Sequence, residues 1–130
     1  SISLHLDKNG TFILTLQNPK IRLRLADGIT RVMGKFRIDK NRQLTISYMN
    51  QYNETDKIVS GFQFYEIYDS MDILIEKRYL EINFKPISDS EIRNMIKTAG
   101  LEIVEMFGDY SYNSFDEEIS DFMIYKLKKR

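Results

Sequence analysis

The stretch "SDSEIRNMIKTAGLEIVEMFGDY", Ser88 to Tyr110, decides how the chain is read. Ser88 and Glu91 have the S-x-x-E spacing of a capping box, in which each side chain satisfies a free backbone N–H at a helix start. Ile87 and Ile92 stand at the positions of a hydrophobic staple around it. Ile92, Met95, Ile96 and Ala99 recur at helical spacing and predict one apolar face. Gly100 stops the helix as a left-handed residue, and Leu101 can then pack back on Ile96. "LEIVEMF" reads as a strand, and Gly108-Asp109-Tyr110 as the turn that leaves it.

Toward the N-terminus, Asn9-Gly10 marks a turn before "TFILTLQ", Thr11 to Gln17. Apolar residues on both parities predict a strand buried on both faces, ended by "NPK". The closing run "DFMIYKLKK", Asp121 to Lys129, is apolar on both parities too and predicts a last strand. The middle of the chain alternates. Val32, Phe36 and Ile38 oppose Arg31, Lys35 and Arg37. Leu44, Ile46 and Tyr48 oppose Gln43, Thr45 and Ser47. Phe62 and Phe64 oppose Gln63 and Tyr65, and Leu80, Ile82 and Phe84 oppose Tyr79, Glu81 and Asn83. This period of two predicts four strands near 30–38, 43–52, 58–68 and 72–84, each with one buried and one wet face. "DKNR", "NETDK" and "DSMD" supply the turns, so the strands form an antiparallel meander. The predicted class is α+β within one domain, 1–130, with no repeat or linker.

Composition narrows the function. Nineteen basic residues balance nineteen acidic ones among 130. A nucleic-acid partner normally calls for a basic excess, and so does an anionic membrane surface; neither is expected. There is no cysteine and one histidine, His5, so zinc–thiolate and multi-histidine sites are excluded, as are disulfides. A chain without cysteine suits a reducing compartment, and a cytoplasmic location is the expectation. No apolar run approaches the roughly 20 residues of a membrane span, and "SISLHLDKNG" does not read as a signal peptide.

Two blocks now carry a resemblance. "HLDKNGTFILTLQNP" is similar to the segment that enters strand five of class I S-adenosylmethionine-dependent methyltransferases. "EIRNMIKTAGLEIVEMFGDYSYNSFDEEISDFMIYKLKK" resembles the end of that family: a helix, strand six, a Gly-Asp-Tyr turn and strand seven. Leu101 stands where the family usually has phenylalanine. The meander between the blocks resembles the antiparallel lid insertion of members that act on small molecules. The resemblance implies the C-terminal, acceptor-side part of such an enzyme, ending in the last three strands and one main helix of a Rossmann-like sheet. It spans a strand-five block at 1–20, the insertion at 30–84 and the terminal elements at 87–130. It also implies S-adenosylmethionine as cofactor and a small-molecule methyl acceptor as partner. The family binds the cofactor on a glycine-rich loop and an acidic residue farther upstream. The glycines here, at 10, 28, 34, 61, 100 and 108, are scattered. This chain alone is therefore expected neither to bind the cofactor nor to transfer methyl groups.

No catalytic, cofactor-binding or metal residue is assigned. On the meander, Gln63, Tyr65 and Arg78 are the polar-face candidates for acceptor binding; cross-strand aromatic pairing explains most of the tyrosines 48, 52, 65, 68 and 79. Asp109 and Tyr110 are the further candidates, with a turn-capping role as the competing reading for Asp109. His5 reads as a surface or helix-end residue, Tyr112 and Phe115 equally as core plugs or ligand contacts, "DEE" at 116–118 as a solvated loop, and "KLKKR" as a strand end. The competing function is a stand-alone, non-enzymatic α+β module that binds a ligand or a protein. Finally, strand Thr11–Gln17 should have a bare edge, which predicts a homodimer of the fragment or a refolded N-terminus.

Overall fold

The computed structural model describes residues 2–130. The chain forms two compact units, one made of the residues up to Arg22 with Ile87–Arg130, the other of Leu23–Pro86.

The first unit is built on a three-stranded antiparallel sheet in the order β1-β7-β6, with β1 at Thr11–Gln17, β6 at Leu101–Phe107 and β7 at Phe122–Lys129. Thr11 lies opposite Lys128 and Gln17 opposite Phe122. Phe12, Leu14 and Leu16 share a face with Leu127, Tyr125 and Met123. Against that face packs α3, Asp89–Thr98. Both halves of its capping box are present at Ser88 and Glu91. Gly100 has φ +73°, and Leu101 joins Ile92 and Ile96 in the core.

Two short helices precede the meander: α1 at Ile2–His5, which makes His5 the helix-end residue its sequence context suggests, and α2 at Pro19–Arg24, which the sequence reading does not include. The signal for α2 is Asn18-Pro19: an N-cap residue followed by proline at the first helical position. Two burial expectations fail. β1 is buried on neither side as fully as its sequence suggested, and Ile13 is 53% exposed. It is an edge strand, and α3 covers only the Phe12–Leu14–Leu16 face. Met95 and Ala99 also lie exposed, because α3 meets the sheet through the narrow stripe Ile92–Ile96.

One polar contact ties α3 to the central strand. Tyr125 is fully buried, and its hydroxyl donates to Asp89 Oδ1 at 2.7 Å, while Arg93 holds the same carboxylate at 2.8 Å. Burial, then the Asp89 hydrogen bond, pushes the phenol well above its usual range.

The second unit is the meander β2-β3-β4-β5, at Arg31–Arg37, Arg42–Asn53, Ile58–Asp69 and Leu74–Phe84. These bounds lie close to those expected. Its faces do not. Register places Leu44, Ile46 and Tyr48 beside Ile67, Tyr65 and Gln63, and Leu80 beside Gln63. Phe62 and Phe64 lie on the opposite face, next to Met49 and Ser47 on one side and Glu81 and Tyr79 on the other. A bulge at Met33 likewise puts Val32 and Phe36 on opposite faces. The meander therefore has apolar side chains on both faces rather than one. Further bulges fall at Ile75 in β5 and Val104 in β6. Among the described residues, no helix is long and apolar enough to cross a membrane.

The Tyr125–Asp89 bond yields a pH-dependent expectation. Tyr125→Phe should lower stability by about 1.5–3 kcal/mol at neutral pH, the range for a hydrogen bond to a charged partner. Because the folded phenol titrates above the ordinary 10.0, the stabilisation is complete below that pH and fades as pH rises beyond it. Urea titrations of both proteins at pH 7 and above pH 10 should show the gap narrowing; a gap that widens with pH would contradict the assignment.

Candidate functional site

β1 and β6 both run antiparallel to β7, so their C-terminal ends lie at one end of the sheet, where β7 begins. In open α/β sheets, ligands collect outside the carboxyl ends of strands. The segments assembled at this end are Asn18, the turn 108–113 and the loop 114–121.

Asn18 organises them. It is 1% exposed, and its Nδ2 donates at 2.8 Å to the carbonyls of Glu117 and Ser120. Its backbone N–H reaches Asp121 O at 2.9 Å, and its Oδ1 accepts from Lys20 N at 3.1 Å, capping α2. Lys20 pairs with Glu118 across the same junction. Gly108 fits close under the loop: a Cβ there would stand 2.1 Å from Ser120 Oγ, so a side chain is excluded. The sequence reading took Asn18 as part of a strand breaker and missed this role. The Asn-Pro pair carried a helix-cap signal, but nothing local could announce partners about a hundred residues away.

The structure gives Asp109 a turn-organising geometry. Oδ1 accepts from Ser111 N at 2.8 Å and Asn113 N at 3.1 Å, and Oδ2 from Asn113 Nδ2 at 2.8 Å. These bonds, the Asn113 side chain foremost, hold its carboxyl below the usual range. A carboxylate so satisfied is a weak proton acceptor near neutral pH. The turn instead presents phenols. Tyr110 is 70% exposed and leans on Phe122 with ring centres 5.2 Å apart. Tyr112 is 78% exposed, has φ +65° and meets Phe107 edge-on at 5.3 Å. Phe115 packs against the core.

In the second unit, Gln63, Tyr65 and Arg78 come together on one face, with Tyr65 directly opposite Arg78. That face also carries Leu44, Ile46, Leu80 and Ile82, so the three polar groups are set in an apolar surface rather than on a polar one. The phenols divide: Tyr48, Tyr52 and Tyr65 on this face, Tyr68 and Tyr79 on the other. Arg78 is paired to Glu76 at 2.6 Å.

His5 lies exposed at the end of α1. Asp116 Oδ1 accepts from the Glu118 N–H, and no metal-holding acidic cluster occurs among the described residues. The N-terminus of α3 is filled by its own Ser88 and Glu91, and that of α2 by Asn18. Among the described residues, no glycine-rich strand-to-helix turn is formed of the kind that lets a backbone approach a nucleotide-type cofactor.

The Asn18 clamp is directly testable. Asn18→Leu removes three side-chain hydrogen bonds and strands two carbonyls and the Lys20 N–H, so thermal or urea unfolding should show a loss of about 2–3 kcal/mol. A change within about 0.5 kcal/mol, the range of ordinary surface substitutions, would show the clamp to be dispensable.

No protein-family model matches the chain, and no curated protein matches it. Solved structures do. An S-adenosylmethionine-dependent methyltransferase from Clostridium acetobutylicum superposes with a TM-score of 0.77 at 16% identity, over 98% of this chain and 48% of that one. An amino pentose methyltransferase from Micromonospora echinaspora, solved with S-adenosylmethionine bound, gives 0.64 at 14% identity over 96% and 47%. A sugar N-methyltransferase from Streptoalloteichus gives 0.64 at 10% identity over 99% and 46%. The chain thus spans about half the length of the structures it matches, and along nearly its whole length it has the fold of part of an S-adenosylmethionine-dependent methyltransferase.

Proposed function

We propose that this chain is the C-terminal, acceptor-side portion of an S-adenosylmethionine-dependent methyltransferase that acts on a small molecule, and that it does not hold the cofactor itself. The observation that carries the reading is the fold likeness over 98% of the chain to 48% of a methyltransferase. The β1 edge supports it. β2, β5 and β6, the other sheet edges, each contain a bulge, at Met33, Ile75 and Val104. β1 has no bulge, no charge and no proline, the devices that normally protect an edge. A strand with that composition suits an inner position in a wider sheet.

On this reading, each unit carries its own acceptor-binding candidates: Gln63, Tyr65 and Arg78 on the meander, and Tyr110 on the turn that Asp109 shapes. Phenol rings over an apolar surface suit a small polar molecule with an apolar side. The amino pentose and sugar methyltransferases among the structural neighbours make an amine on a sugar ring the first acceptor class to test. This chain's contribution is to bind and orient, which is the larger part of what a protein supplies to methyl transfer. No chemical step is assigned to it.

Calorimetric titration of the isolated chain with S-adenosylmethionine should give no saturable heat up to about 1 mM; binding in the low micromolar range would overturn the assignment. In the isolated chain the bare β1 edge is expected to recruit a second copy. Light scattering should show association that Ile13→Lys reduces, since a lysine on an edge strand opposes pairing. An unchanged mass distribution for that variant would remove β1 as the contact.

A further inference from the structure

Met106 is joined to α3 by an unusual donor. Arg93 Nη2 donates to its Sδ at 3.2 Å. A thioether is a weak acceptor, so a guanidinium aimed at one gains little from it. The contact closes a ring of four residues between helix and sheet. Met106 lies directly opposite Tyr125 across β6 and β7. The Tyr125 hydroxyl reaches Asp89 at 2.7 Å, and Arg93, one helical turn on, gives its Nε to the same carboxylate at 2.8 Å. Arg93 thus holds Asp89 with one donor and keeps another for the sulfur. Met106 packs against the core of the first unit but is only partly buried, whereas Met123 is 1% exposed.

We propose that Met106 is a reversible oxidation site for a small hydroperoxide, and that Arg93 is the group that receives the resulting sulfoxide. In the step, the sulfur lone pair takes the outer oxygen of the hydroperoxide and the O–O bond breaks. The proton of the transferred oxygen passes to the other oxygen, which leaves as water or an alcohol. Sulfur loses two electrons and the peroxide gains them. A weak acceptor becomes a polar S=O group. In a packed element that change is costly where the new oxygen has no partner. At Met106 the partner is already in place. The half-exposed Arg93 side chain has room to yield by the length of an S–O bond while Nε stays on Asp89. The unbranched methionine side chain has the rotors to turn its oxygen toward the guanidinium. Met33, Met71 and Met95 are exposed, and their sulfoxides enter water. The site belongs to the first unit alone and is independent of the methyltransferase reading.

Hydrogen peroxide applied to the full chain, followed by peptide mapping, tests the site. Met33, Met71 and Met95 are first replaced by leucine so that they do not contribute. Met106 should become the sulfoxide at a dose that leaves Met123 a thioether, and methionine sulfoxide reductase should return it. The oxidised chain should melt within about 2 °C of its reduced form. With Arg93→Ala, the same oxidation should lower the midpoint by about 5 °C, since the oxygen then has no donor. Each variant's reduced form is its own reference, so destabilisation by the substitution itself cancels. Adding Met106→Leu to Arg93→Ala should abolish the peroxide-dependent fall. Failure of Met106 to oxidise ahead of Met123, a midpoint loss equal with and without Arg93, or a fall that persists in Met106→Leu overturns the proposal.

Discussion

The position of β7 constrains everything else in the first unit. It is the last strand in sequence and the middle strand in space, with β1 on one side and β6 on the other. Met123, Tyr125 and Leu127 are at most 1% exposed because the strand is paired along both edges and covered by α3 on one face. The pairing of Thr11 with Lys128 joins segments from opposite ends of the chain, a contact whose loop-closure cost must be met before the core can form. The start of β7 also fixes where the 114–121 loop returns, and so brings Glu117 and Ser120 to Asn18. The core and the candidate rim are two consequences of one strand placement.

The elements readable from the sequence were those whose signals are local. The capping box at Ser88–Glu91, the left-handed Gly100 and the alternating meander strands are written in neighbouring residues, and the structure has them. What failed depended on partners distant in sequence. "TFILTLQ" and "FMIYKLKK" carry the same doubly apolar pattern, yet one is an edge and the other a centre. Periodicity reports what a strand could bury, while pairing order decides what it does bury. In the meander, each strand's alternation was seen, but which parities share a face is set by register, and single-residue bulges change it. Gln63 and Tyr65 share a parity within β4, but it is register that sets Arg78 of β5 beside them, and that face is apolar. Asn18 was missed because its partners lie at the other end of the chain.

Chemically, the rim at the strand ends is stiff. Asp109 spends its acceptors on its own turn, Gly108 is pressed against Ser120, and Tyr112 is held in the left-handed region beside Phe107. Such over-determined backbone suits positioning more than proton transfer. Bulges interrupt three of the sheet edges, while β1 keeps an unbroken, uncharged ladder edge suited to a further strand.

The central claim is that this sequence is one portion of a larger enzyme. Intact-mass and peptide-sequence analysis of the native polypeptide, captured with an antibody raised against the meander, tests it most directly. The chain has a mass of 15.4 kDa and covers 48% of a matching methyltransferase. The account predicts a native polypeptide of about twice that mass, with a strand, a glycine-rich turn and a helix encoded before Ser1. A native polypeptide of 15.4 kDa, beginning at Ser1 and acting without a cofactor-binding partner, would contradict it.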